Sequence, residues 1–246
     1  VLKAISDAAK TGEIGDGNTN NINKKPVEIS GLSGLKCEAA SGPPTSGTWT
    51  LTGDVTLTDQ IKLTGDLVVE GNGYTITGAA DKRLFMSDTY KLTLNKLTLI
   101  GDDISDNSNC AGLSHGVKQT VDESCFGGIV FMNDGGDLEA TDVTFKNAKA
   151  KHGGCVSAQR GSQVVFTNVN FDNCDSTGYG SFLQMNAVQC SLTWTGGEVK
   201  NCDNPASGDG WGGLQAQIYT IVIDGVTFKD NSAKQGSVLL LSYINT

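Results

Sequence analysis

Residues 138–147 (LEATDVTFKN), 164–173 (VVFTNVNFDN), 192–201 (LTWTGGEVKN) and 221–230 (IVIDGVTFKD) align without a gap, and their starts lie 26, 28 and 29 residues apart. A fifth copy, 92–101 (LTLNKLTLIG), begins 46 residues before the first of these, which leaves room for about one repeat plus an insertion. Residues 67–78 (LVVEGNGYTITG) read as a looser copy. Inside each block the first and third positions are apolar, as in Val164/Phe166 and Ile221/Ile223, and so are the sixth and eighth, as in Val169/Phe171 and Val226/Phe228. The positions between them are mostly Thr, Asn, Asp or Glu. A period of two marks a strand, and the polar or Gly pair in mid-block marks a bend between two short strands. Small residues announce a further strand in each repeat: Gly127-Gly128-Ile129-Val130, Gly153-Gly154-Cys155-Val156, Gly180-Ser181-Phe182-Leu183, Gly212-Gly213-Leu214-Gln215 and Gly236-Ser237-Val238-Leu239.

Three short strands in about 25–29 residues, with apolar residues returning to the same slots, predict an all-β chain folded as a right-handed parallel β-helix. A β-sandwich or propeller would need hairpins every ~8–12 residues instead. Composition agrees: 32 Gly, 24 Thr and 18 Asn but only 4 Pro in 246 residues suit short strands and tight turns. Residues 46–246 are assigned to the solenoid, with an insertion at about 101–126 and the first coils drawn from 48–78. Residues 1–45 are read as an N-terminal cap or linker, where Val1, Leu2, Ile5, Ala8 and Ala9 share one face of a short helix. The final segment, SVLLLSYINT, stops within an apolar strand, so the natural chain is expected to continue beyond Thr246 or to be covered by a partner.

A net charge of −9 disfavours nucleic acid and anionic membranes as partners. No apolar run is long enough to span a bilayer as a helix. The seven cysteines include no Cys-x-x-Cys pair, and only His115 and His152 offer imidazoles, which argues against a zinc site. No metal or cofactor is expected. Cysteines at this frequency in an acidic, Gly- and Thr-rich chain suggest a secreted or cell-surface protein with disulfides. Cys174 and Cys202 each follow the Asn that closes a block, so they should stack in consecutive coils and form a bridge. Cys110–Cys125 would close the insertion, and Cys155 should be a buried free thiol because it shares the inward column of Ile129 and Phe182.

The stretch FKDNSAKQGSVL, from Phe228 to Leu239, resembles the F-x-x-N … G-G-A-I/L repeat of the polymorphic outer membrane protein family, whose members are autotransporter passengers. Residues up to Leu99 resemble the opening of secreted pectin-lyase-like β-helices. The resemblance implies a surface-exposed β-helix. Gly101-Asp102-Asp103 followed by Ser114-His115-Gly116 also resembles the G-D-D … G-H-G pair of polygalacturonases, which would make Asp102 and Asp103 an acid–base pair with His115 nearby. This chain lacks that family's Asn-Thr-Asp and Arg-Ile-Lys elements. Asp102, Asp103 and Asp106 are alternatively a Ca²⁺ cluster or simply a solvated loop. His152 reads as a surface residue and Trp194 as core. The outward column Asn95, Thr141, Thr167, Thr195, Asp224 aligns three threonines, an ice-binding pattern broken in the neighbouring column by Glu139, Val165 and Val222. The favoured reading is an extracellular structural, adhesive or filament-forming module without catalytic activity. It would meet protein partners or copies of itself through the solenoid ends, with polysaccharide as a further surface partner. A carbohydrate-active enzyme and an ice-binding protein are the alternatives.

Overall fold

A computed structural model describes residues 42–105, 125–186, 189–204, 212–217, 220–236 and 238–241. The expected N-terminal helix, Cys37, Cys110, Asp106 and His115 lie outside these residues. The described chain is all-β and winds into a parallel solenoid of about six turns. One sheet runs through Gly47–Thr50, Leu67–Glu70, Leu92–Ile100, Leu138–His152, Gln163–Thr167, Ser191–Thr195 and Thr220–Asp224. The second runs, in chain order, through Ile61–Lys62, Phe85–Ser87, Val130–Met132, Val156–Gln159, Leu183–Asn186, Leu214–Gln217 and Leu239–Leu241. Each strand pairs with its equivalent one coil away.

The ungapped repeat alignment is the register of the first sheet. Leu67 pairs with Leu92, Leu92 with Leu138, Leu138 with Val164, Val164 with Leu192 and Leu192 with Ile221. One register therefore sends every first and third block position inward. Leu92, Leu94, Leu138, Val164, Phe166, Leu192 and Trp194 are at most 1% exposed. The aromatic residues interlock down the axis. Phe145 stacks on Phe171 with ring centroids 5.1 Å apart, and Trp194 meets Phe166 edge-on at 5.7 Å. The Trp194 indole N–H, which would be orphaned in an apolar core, donates to the Gly196 carbonyl at 2.9 Å.

The corners are columns of left-handed backbone. Asn72, Lys96, Asp142, Asn168, Gly196 and Gly225 turn the mid-block bend, all with positive φ. Asn147, Asn173, Asn201 and Asp230 turn the end of the block in the same way. Asn and Asp tolerate this conformation better than other side chains. Here they also bond along the column: Asn168 Nδ2 donates to Asp142 Oδ1 at 2.7 Å, and Asn173 Nδ2 to Asn147 Oδ1 at 3.2 Å. The diglycine corner has two separate requirements. Gly153 has φ +62°, whereas on Gly154 a Cβ would run into the carbonyl oxygens of Ser181 and Asp175.

The cysteines depart from expectation. Cys174 bonds to Cys155 with Cα atoms 5.4 Å apart, and Cys202 is a buried free thiol. Both the Cys174–Cys202 bridge and the free Cys155 are thus corrected. Stacked slots do keep Cα atoms ~4.8 Å apart, but their Cβ atoms run parallel at that same spacing, beyond the ~3.8 Å a disulfide favours. Cys155 instead faces Cys174 inside the coil, where both are fully buried in one apolar cluster. Cys125 is also disulfide-bonded, but Cys110, its expected partner, is outside the described residues.

Gly153→Ala should keep the strand content but lower unfolding stability by about 1–3 kcal/mol, because the added methyl makes left-handed backbone costly and meets Val156. Urea-denaturation midpoints of the two proteins measure this.

Candidate functional site

Asp102 and Asp103 follow the strand Leu92–Ile100 and hold the next coil in place. The Lys149 N–H donates to the Asp102 carbonyl at 3.1 Å, and the Ile104 N–H to the Lys149 carbonyl at 2.8 Å. The Asp102 and Asp103 carboxylates bond to different coils. Asp102 Oδ2 accepts the N–H of Asp81, in the preceding coil, at 3.0 Å. Asp103 Oδ2 pairs with Lys149 Nζ, in the following coil, at 2.9 Å. Its Oδ1 accepts the Ser105 hydroxyl at 2.6 Å and the Ser105 N–H at 2.9 Å. Burial pushes the Asp103 carboxyl up, but these bonds and Lys149 outweigh it and hold it below the ordinary carboxylate range. A general acid needs the opposite shift. The two carboxylates do not converge, and His115 lies outside the described residues.

Asp103 heads an outward column of charged and polar groups. Asp175 is registered with Lys149, Asp175 Oδ1 accepts the Asp203 N–H at 2.9 Å, and the Ser232 hydroxyl donates to Asp203 Oδ1 at 2.8 Å. Burial raises the Asp175 pKa above its ordinary value; the Asp203 N–H bond and Lys149 oppose the rise, and the charges of Asp203 and Asp103 add to it.

His152 is corrected from surface to interior. It is 4% exposed and stacks between Phe126 and Tyr179, with centroids 5.0 and 5.1 Å away, while its Nδ1 accepts the Tyr179 N–H at 3.3 Å. Aromatic rings in equivalent corner slots of successive coils enclose the imidazole, which single-residue reading does not anticipate.

The two sheets present different outer faces. On the first, Thr141, Thr167 and Thr195 are in direct register. Beside them run Glu139, Val165, Thr193 and Val222, with Val165 and Val222 38% and 49% exposed. The columns continue through Thr93 and Asn95 to Val68 and Glu70, and then to Thr48 and Thr50. Glu139 is neutralised by Lys91 at 2.6 Å, and Glu70 accepts Asn95 Nδ2 at 2.9 Å. The result is a partly to fully exposed array of hydroxyls and methyls, interrupted by Glu70, Glu139 and, at its end, the exposed Asp224. On the second sheet the outward column Phe131, Ser157, Gln184, Gln215 is buried, each residue at most 1% exposed. Ser157 Oγ lies 3.1 Å from Gln184 Oε1, and both polar atoms of the Gln215 side chain lack partners. The repeated pattern Val156-Ser-Ala-Gln, Leu183-Gln-Met-Asn, Leu214-Gln-Ala-Gln carries the polar part of this column in the sequence.

Architecturally, then, this is a parallel β-solenoid with one exposed, largely uncharged sheet face. Comparisons with family models, curated proteins and solved structures find no match.

Asp175 holds its proton more tightly folded than unfolded, so its stabilising contribution is fullest at acid pH and is lost as pH rises through the raised pKa. Asp175→Asn keeps an acceptor for the Asp203 N–H and removes the charge. The variant should be more stable than wild type at neutral pH, by less than about 1 kcal/mol because the group is partly solvated. The difference should close below about pH 4. Thermal unfolding across the pH range tests this.

Proposed function

We propose that this chain forms an extracellular β-solenoid that acts as a non-catalytic structural or adhesive module. The observation that carries this reading is the exposed outer face of the first sheet, held in register over seven strands. A stiff face of Thr and Val, with its central acids already bonded, suits broad contact with an uncharged, repetitive partner such as a polysaccharide surface. Such a face meets its partner through shape and many weak contacts, not through a few convergent reactive groups. The buried disulfide Cys155–Cys174 supports an extracellular setting. Among the described residues no helix is long and apolar enough to cross a membrane. The repeat resemblance to autotransporter passengers and pectin-lyase-like helices points the same way. In the last described coil the inward residues Ile223, Val226 and Phe228 are only partly buried, and Leu239 and Leu241 are each 37% exposed. Apolar exposure of this kind supports a further contact with a protein partner or a second copy at this end.

The in-register threonines Thr141, Thr167 and Thr195 favour a second reading, in which the same face orders water and binds ice. A glycoside hydrolase built on Asp102, Asp103 and His115 is the catalytic alternative.

The intact chain should be retained on insoluble cellulose or chitin without releasing reducing ends. The double variant Thr167→Lys/Thr195→Lys should weaken retention at least about tenfold with an unchanged circular dichroism spectrum. Freezing-point hysteresis lost in the same variant would favour ice as the ligand. Sugar release abolished by Asp103→Asn would overturn the non-catalytic reading.

A further inference from the structure

Three sulfurs meet inside the solenoid. Cys155, Cys174 and Cys202 are each 0% exposed, and the first two are joined. Cys202 occupies the slot of Cys174 one coil on. Asp172 pairs with Lys200 two residues earlier, and the Asp203 N–H bonds to Asp175 one residue later. The Cys174 N–H donates to Cys202 Sγ at 3.4 Å, which puts the free sulfur directly against the bridged residue. Cys190, the other free thiol among the described residues, is held elsewhere, with backbone bonds to Gly161 and Ser162.

We propose that these three cysteines form a thiol–disulfide relay, in which the bridge passes from Cys155–Cys174 to Cys174–Cys202. Cys202 gives up its proton and its sulfur attacks Cys174 Sγ. The Cys174–Cys202 bond forms as the Cys155–Cys174 bond breaks, and the leaving electron pair stays on Cys155, which takes up a proton. One thiol and one disulfide exist before and after, so no oxidant or reductant is consumed. The stacked pair falls within the ~4.4–6.8 Å Cα window for a disulfide. Its parallel Cβ atoms must close from ~4.8 Å toward ~3.8 Å, however, so the second bridge needs the two coils to draw together locally as the side chains turn. The consequence is mechanical. The present bridge joins residues 19 apart, whereas the exchanged one joins residues 28 apart, Cys174 to Cys202, and moves the staple one coil along the axis.

The fold also restrains the exchange. Burial pushes the Cys202 thiol up to about 12, against the pull of the Cys174 N–H, and the carboxylates of Asp175, Asp172 and Asp203 add to the push. The attacking thiolate is therefore scarce at neutral pH, and the Cys155–Cys174 pairing persists until the pH is raised or the coil opens.

The test is non-reducing peptide mapping of the intact chain after incubation at alkaline pH, acid quench and alkylation with N-ethylmaleimide. A Cys174–Cys202 cross-linked peptide and alkylated Cys155 should appear together, persist in Cys190→Ala and vanish in Cys202→Ala. Alkylation of Cys202 alone, with Cys155–Cys174 intact, overturns the relay. So does release of Cys155 in Cys202→Ala. In Cys155→Ser treated with oxidised glutathione, Cys174 and Cys202 should bond to each other, and recovery of both as free thiols would again overturn the relay. Where that variant fails to fold, the wild-type map decides.

Discussion

Parallel, in-register stacking at ~4.8 Å per coil governs most of what this molecule does. Under that constraint a side chain's nearest neighbour is the residue in its own slot one coil away, so each slot must hold residues that tolerate their own kind. Apolar inward slots satisfy this easily, and the Phe145–Phe171 stack is the direct result. Corner slots must repeat a left-handed backbone coil after coil, which is why Asn, Asp and Gly recur there. Asn suits such a column particularly well because its amide both donates and accepts, as between Asn173 and Asn147.

The same constraint disciplines charge. Like charges in adjacent slots repel, and the outer columns largely alternate. Lys146 pairs with Asp172 and Asp172 with Lys200, while Lys149 stands between Asp103 and Asp175. The alternation fails where Lys200 stands beside Lys229 and where Asp175 stands beside Asp203, and there the Asp175 carboxyl is pushed toward its protonated form. Asp102 and Asp103 fit this pattern of coil-to-coil bonding. Their roles in the described structure are to accept the Asp81 N–H and to pair with Lys149. Most of the polar side chains that look like chemistry in the sequence are engaged in joining coils. The surface left over is the first sheet's array of Thr and Val, whose regularity is itself a product of the stacking.

Sulfur shows how far slot logic reaches. It correctly places Cys202 against Cys174, since the Cys174 N–H bonds to the Cys202 sulfur. It does not decide which sulfur is bonded. A disulfide depends on the direction of two Cα–Cβ vectors, and in stacked slots these are parallel. Cys155 approaches Cys174 from another strand of the preceding coil, at a Cα separation of 5.4 Å.

The sequence by itself determined the coil, its register and its inward set. All three are periodic, and a period survives in one dimension: Leu138, Val164, Leu192 and Ile221 could be matched by counting. The burial of Trp194 followed from the same count. The threonine columns were legible for the same reason. What only the tertiary structure decided are relations between different slots. The Cys155–Cys174 bridge and the divergence of Asp102 and Asp103 toward opposite coils each join positions with no common place in the repeat, whereas Phe126, His152 and Tyr179 share one corner slot. The burial of Ser157, Gln184 and Gln215 on an outward column belongs here too, because alternation tells which way a side chain points but not what lies beyond it. Periodicity encodes neighbours along the axis, whereas contacts around the coil and over its faces depend on how the chain closes in space.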